Sequence, residues 1–212
     1  MPFFLEIHPA EGIHAGIWHI TETSGELLSQ VNLSDSERTA FDTFRHDLRK
    51  RQWLGCRALL QHLLKPFPAA VIYDRNGKPG LDSGSRHISF SHAGDYAAAV
   101  VSSNKPAGID IEKMKDRVER VKERFLHADE LAAIGHENRL EQLYLYWCGK
   151  EALYKINGNP DVDFRNDIHI HPFDYLCHTD QICGATLSIN GSASDYSLFV
   201  RTVGEYMLVV AY

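Results

Sequence analysis

Residues 87–112 read HISFSHAGDYAAAVVSSNKPAGIDIE, and this stretch decides the fold class. HISFSH alternates, with Ile88 and Phe90 on one face and Ser89 and Ser91 on the other, which predicts a strand. A glycine turn, DYAAAVVS, the turn at SNKP and then AGIDIE predict two more strands in a meander. The last strand carries a chemical oddity. Residues two apart on a strand share a side, so Asp110 and Glu112 present their carboxylates together while Ile109 and Ile111 face the core.

Working outward, FFLEIH and HAGIWHI predict two strands joined by a turn at Ala10–Gly12. NLSDSERTAFDTF opens with a helix-start signature, Ser34 as N-cap and Glu37 three residues on. RKRQWLGCRALLQHLL places Trp53, Cys56, Leu60 and Leu63/Leu64 at helical spacing, with Pro66 as its stop. VIYDRNGKPGL predicts a short strand and a turn at Asn76-Gly77 and Pro79-Gly80. Beyond Glu112, DRVERVKERF predicts a charged helix and ADELAAI a second. RLEQLYLYWCGKEALYKI predicts a long one ending before Gly158 and Pro160. IHIHP, ATLSI, YSLFVRT and YMLVVAY predict a strand-rich tail. The order predicts an α+β fold of two similar halves, 1–103 and 104–212, each a largely antiparallel sheet packed with helices.

The composition, 44% hydrophobic and 24% charged over 212 residues, is that of a globular chain. A net charge of −6 argues against a broad nucleic-acid-binding surface. Cys56, Cys148, Cys177 and Cys183 form no C-x-x-C pair and no zinc spacing, so free thiols are expected. No signal peptide and no run of transmembrane length is visible, so a soluble cytoplasmic protein is expected. The twelve histidines are scattered.

Paired acids raise each other's proton affinity unless a cation sits between them, and oxygen-only ligands favour Mg²⁺ over Zn²⁺. Mg²⁺ takes one or two carboxylates plus substrate phosphates, so Asp110 and Glu112 point to a phosphate-bearing substrate. The bland alternative is a pair of acids on the solvent face of an edge strand. WCGKEALYK adds Lys150, Glu151 and Lys155. Glu151 and Lys155 share a helix face, and a surface ion pair is their bland reading. GKE is no P-loop, because the upstream glycine is missing. Ser91 and His92 stand at a strand end, where histidine suits a phosphate contact or acid–base work. Arg45, Arg49, Lys50, Arg51 and Arg57 form a basic cluster, either a solvated helix face or a phosphate clamp.

Together and in this order, NGKPGL, ISFSHAGDY, GIDIE and WCGKEALYK resemble the motif series of the 4′-phosphopantetheinyl transferases, in particular the larger surfactin-synthetase-activator type. The resemblance spans about residues 34–157. It implies an active site in a cleft between two halves, Mg²⁺, coenzyme A as donor and a carrier-protein serine as acceptor, with 3′,5′-ADP leaving. By resemblance, Asp110, Glu112 and Glu151 are the metal ligands, and His92 and Lys155 contact phosphate. Arg51, Lys78, Pro79 and Ser91 match positions lining the coenzyme A adenosine and 3′-phosphate region. Glu130 falls where some members have an acid proposed as general base, a role also open to Glu151 or a metal-bound water. The family's upstream basic positions fall here near Ser36 and Thr39, a departure that touches the 3′-phosphate contacts.

The alternative reading is a catalytically inactive homologue that binds coenzyme A or a carrier protein. A Mg²⁺-dependent nucleotide hydrolase would need a triphosphate site, and a purely structural protein would leave the convergent acids unexplained. The partners expected are coenzyme A and an acyl or peptidyl carrier protein, with neither nucleic acid nor membrane, and a monomer is favoured. Acidic carrier proteins would dock on a basic or apolar surface, for which Arg117, Arg120, Lys122 and Arg124 are candidates.

Overall fold

The computed structural model describes residues 4–65, 69–84 and 86–212. The expected helix stop at Pro66 lies outside the described residues. The chain divides into two compact units, Met1–Pro106 and Ala107–Tyr212.

In the first unit, β1 (Phe4–Ala10) and β2 (Ile13–His19) form a hairpin. Three helices follow, α1 (Ser24–Gln30), α2 (Asp35–Asp42) and α3 (Asp47–Leu63). Ser34 caps α2 as its sequence signature predicts, with its side chain bonded to Glu37 N and the Glu37 carboxylate returning to Ser34 N. The same reciprocal box, Thr23 with Glu26, starts α1, a helix the sequence reading passed over although TSGE carries the signal. β3 (Val71–Tyr73) and β4 (Pro79–Leu81) make a small hairpin around the NGKPGL turn. β5 (His87–Ala93) and β6 (Tyr96–Ser102) complete an antiparallel sheet of order β1-β2-β6-β5. Helix α3 packs on it through Trp53, Leu54, Cys56 and Ala58. Ser89 and Ser91 are buried like Ile88, so the alternation in β5 separates polar from apolar without exposing a face.

In the second unit, β7 (Gly108–Lys113) precedes the helices α4 (Ala128–Ala133) and α5 (Arg139–Asn157). The long helix ends at Gly158, in left-handed backbone, as the sequence predicts. Strands β8 (Ile168–Ile170), β9 (Gln181–Ile189), β10 (Ser192–Val203) and β11 (Tyr206–Ala211) complete an antiparallel sheet of order β7-β11-β10-β9-β8. In both sheets the strand before the long helix pairs with the last strand of its unit, β2 with β6 and β7 with β11.

The charged helix expected over DRVERVKERF is instead two short 3-10 turns, Asp116–Arg120 and Lys122–Arg124. Val118 N, Val121 N and Arg124 N each bond to the carbonyl three residues back. Val118 and Val121 lie three apart, a spacing that a three-residue turn keeps on one side. Glu119 is further tied to Lys122 at 2.7 Å and Arg139 at 2.6 Å, which anchors the segment to the start of α5.

Candidate active site

Strand β7 and helix α5 lie against each other in the second unit, and the glycines of both motifs explain how closely. A Cβ on Gly108 would stand 2.0 Å from the Ala152 carbonyl oxygen, so only glycine lets the start of GIDIE meet the helix backbone. A Cβ on Gly149 would stand 2.7 Å from Ile170 Cδ1, where α5 presses on β8. Gly108, Asp110 and Glu112 alternate along β7 and therefore turn toward α5. Trp147, Glu151 and Lys155 are spaced four apart on the helix and share a face.

The acids are not a solvent-facing pair. β7 is an edge strand, yet Asp110 is only 4% exposed. Lys155 Nζ donates to Asp110 Oδ1 at 2.7 Å and to the Ile109 carbonyl at 2.9 Å. Burial pushes the Glu151 carboxyl up to about 7, and the Asp110 charge adds to it while Lys155 opposes. Glu112 is raised as well, chiefly by burial and then by Asp110, against a Trp147 hydrogen bond and the charges of Lys155 and Arg117. Three carboxylates around one lysine, two of them reluctant to ionise, are a donor set that a cation would stabilise. All-oxygen ligation fits a hard divalent ion of the Mg²⁺ class.

Glu112 also borders a cavity of about 360 Å³ lined by Arg117, Val118, Arg120, Val121, Tyr144 and Trp147. Arg117 and Arg120 thus put two cations on an otherwise apolar hollow beside the acids.

Glu130 is held in a buried hydrogen-bond network. It is 1% exposed, and Lys150 Nζ donates to its Oε2 at 2.7 Å. His127 N donates to the same oxygen at 2.8 Å, and Ile170 N donates to Oε1 at 2.8 Å. Lys150 fills its other two donor positions with the carbonyls of Phe164 at 2.8 Å and Ile168 at 2.6 Å. Adjacent residues of the GKE triplet are thus divided: Glu151 faces the β7 acids, and Lys150 faces Glu130. The Lys150–Glu130 pair escaped the sequence reading. The signal available was a lysine one position off the acid-bearing helix face.

The residues matched to coenzyme A contacts lie in the first unit. Ser91 and His92 are on β5, and His92 is half-buried and touches the Arg49 guanidinium. Arg51 pairs with Asp47 at 3.1 Å across one turn of α3. The Asp74 carboxylate accepts from Asn76 N and Lys78 N, both at 2.9 Å, which shapes the turn before Pro79. Burial pushes the Lys78 ammonium down, with Asp74 opposing. Arg57, read as part of a basic cluster, is only 3% exposed. It pairs with Glu37 at 3.4 Å, bonds to Tyr73 Oη at 2.6 Å and stacks over Trp53 at 3.8 Å, so it holds α2, α3 and β3 together. The apolar face of α3 carries it inward, which a count of basic residues does not reveal.

Comparison with known proteins meets this geometry. Residues 106–201 match the family model described as the 4′-phosphopantetheinyl transferase superfamily. A 4′-phosphopantetheinyl transferase AcpT of Escherichia coli K12 is 34% identical over 120 residues, covering 52% of this chain and 59% of that protein. The 4′-phosphopantetheinyl transferase psf-1 of Bacillus pumilus is 32% identical over 136 residues, covering 59% and 58%. A 4′-phosphopantetheinyl transferase of Bacillus subtilis is 35% identical over 97 residues, covering 43% of each. The chain is similar to the 4′-phosphopantetheinyl transferase superfamily over these residues, which include the GIDIE and WCGKEALYK motifs. It spans less than two thirds of the length of these relatives. No helix among the described residues is long and apolar enough to cross a membrane.

Proposed function

We propose that the protein transfers the 4′-phosphopantetheine group of coenzyme A to a serine hydroxyl of an apo acyl or peptidyl carrier protein, with 3′,5′-ADP as leaving group. The observation that carries this is the facing of β7 and α5, which gathers Asp110, Glu112, Glu151 and Lys155. Asp110, Glu112 and Glu151 are the ligands proposed for Mg²⁺, which when bound neutralises pyrophosphate charge and fixes its orientation. Lys155 and His92 are proposed to hold phosphoryl oxygens and to stabilise the charge that builds there. Arg51, Lys78, Pro79 and Ser91 are proposed to line the nucleotide end of coenzyme A. The half-buried ammonium of Lys78 is a strong partner for an anion, because burial leaves it short of solvation.

The serine oxygen attacks the phosphorus that carries pantetheine, the bond from that phosphorus to the bridging pyrophosphate oxygen breaks so that 3′,5′-ADP leaves, and the serine proton needs an acceptor. Glu151, Glu130 or a water on the bound metal is proposed as that acceptor. Both oxygens of Glu130 are already held by Lys150, His127 N and Ile170 N. The carrier protein is proposed to approach over the hollow at Arg117 and Arg120, where an acidic helix would find two cations and an apolar floor.

The decisive experiment is intact-mass spectrometry of an apo acyl carrier protein after incubation with this protein, coenzyme A and Mg²⁺. A gain of one phosphopantetheine group, lost with chelator and in Asp110→Ala, is the expected result. Coenzyme A binding without transfer to any of several carrier proteins would replace this function with binding alone.

A further inference from the structure

Two of the histidines scattered along the sequence meet in the second unit. His127 and Asp129 lie where the chain enters α4, and His169 lies on β8, forty-two residues away. One ligand atom from each comes within 4.8 Å of the others. Asp129 is the centre: its Oδ1 is 2.5 Å from His127 Nδ1, and its Oδ2 is 3.6 Å from His169 Nε2. Oδ1 also accepts from Glu130 N at 2.8 Å, which fixes the carboxylate.

We propose that His127, Asp129 and His169 form a second metal site, for a divalent transition ion of the Zn²⁺ class, distinct from the all-oxygen site on β7 and α5. Two imidazoles and a carboxylate are a donor set such ions prefer and Mg²⁺ does not. Tetrahedral coordination with bonds of about 2.0–2.1 Å puts ligand atoms roughly 3.4 Å apart. The observed separations bracket that value, so side-chain rotation alone can close the set around an ion. Three protein ligands leave the fourth position to water, which the exposure of His127 and Asp129 allows.

The surroundings resemble a ligand shell rather than a chance surface cluster. Ligating histidines characteristically turn their second ring nitrogen toward a carboxylate. His169 does so, with Nδ1 3.9 Å from Glu130 Oε1 and Nε2 facing Asp129. Glu130 cannot swing away, because Lys150 Nζ, His127 N and Ile170 N all hold it. The buried pair on α5 thus gives the surface cluster a rigid backing. An ion there would tie the start of α4 to β8, across a long excursion of the chain.

The full chain is titrated with Co²⁺ in excess Mg²⁺, which fills the oxygen site, and visible absorption reads nitrogen-containing coordination. Zn²⁺ is then tested for displacement and for its effect on Tm. One Co²⁺ per chain, displaced by Zn²⁺, with Tm rising by a few degrees, is expected. Affinity should fall at least about tenfold in His127→Ala, whose side chain is half exposed, and likewise in Asp129→Asn, each with an unchanged far-ultraviolet dichroism spectrum. His8→Ala/His14→Ala, which dismantles the exposed Glu6–His8–His14 cluster on β1 and β2, should change nothing. Absence of Co²⁺ binding would overturn the proposal. So would binding unaffected by His127→Ala, or binding lost in Asp110→Ala or His8→Ala/His14→Ala instead.

Discussion

Helix α5 carries two lysines, and each meets an acid of another element at 2.7 Å, but the two regions differ in everything else. Lys150 and Glu130 are sealed at 0% side-chain exposure, with each polar atom occupied. Lys155 and Asp110 sit in a crowd of acids, where one ammonium serves three carboxylates and Glu112 and Glu151 hold their protons too tightly. The saturated pair is architecture. The other leaves Glu112 and Glu151 with raised proton affinity, a condition that a bound cation would relieve. An identical contact distance says nothing about which is which; the count of unmatched charge around it does.

The largest effect should come from breaking the saturated pair. Lys150→Met leaves Glu130 buried without its cation and should cost about 3–5 kcal/mol in urea unfolding. Adding Glu130→Gln should recover part of this, because a neutral amide oxygen still accepts from Ile170 N. Equal stability of Lys150→Met and the parent would mean the pair is not a structural anchor.

At the other site the expected loss is chemical. Asp110→Ala should lower the rate of carrier modification roughly 100- to 1,000-fold, with an unchanged far-ultraviolet dichroism spectrum. A fully active Asp110→Ala would remove the β7 acids from the mechanism.

The contrast can be sharpened by pH. Glu151 binds its proton more tightly folded, near 7, than the ordinary 4.5. Below pH 4.5 both states are protonated and nothing is lost. Between 4.5 and 7 the unfolded chain ionises first, so metal-free stability should fall as pH rises, by up to about 3 kcal/mol in all. Glu151→Gln should flatten that slope, and so should Mg²⁺. A slope unchanged by the substitution would assign it to other groups.

The smallest effect concerns the hollow beside Glu112. Arg117→Glu with Arg120→Glu should raise KM for carrier protein about tenfold and leave KM for coenzyme A unchanged. Equal changes in both would sink the docking surface.

Much of this was legible in residue order. Period-two alternation in HISFSH, the capping box at Ser34–Glu37, and the Gly158 stop of the long helix each rest on local geometry. Neighbours in sequence are then enough. DRVERVKERF misled because its charge pattern suits a helix, whereas its fate depended on bonds from Glu119 to Arg139, twenty residues on. Arg57 misled for a similar reason: its class says surface, and only the packing of Trp53 and Tyr73 draws it inside.

The sequence by itself determined that Asp110 and Glu112 share a side, that Glu151 and Lys155 share a face, and which family these motifs resemble. Those follow from the fixed repeats of strand and helix and from the motifs themselves. Only the tertiary structure decided that the two elements face each other, that Lys150 turns to Glu130 instead, and that His127, Asp129 and His169 meet. Such pairings bring together segments up to forty-odd residues apart. They are set by the close approach at Gly108 and Gly149 and by the need to satisfy every buried charge.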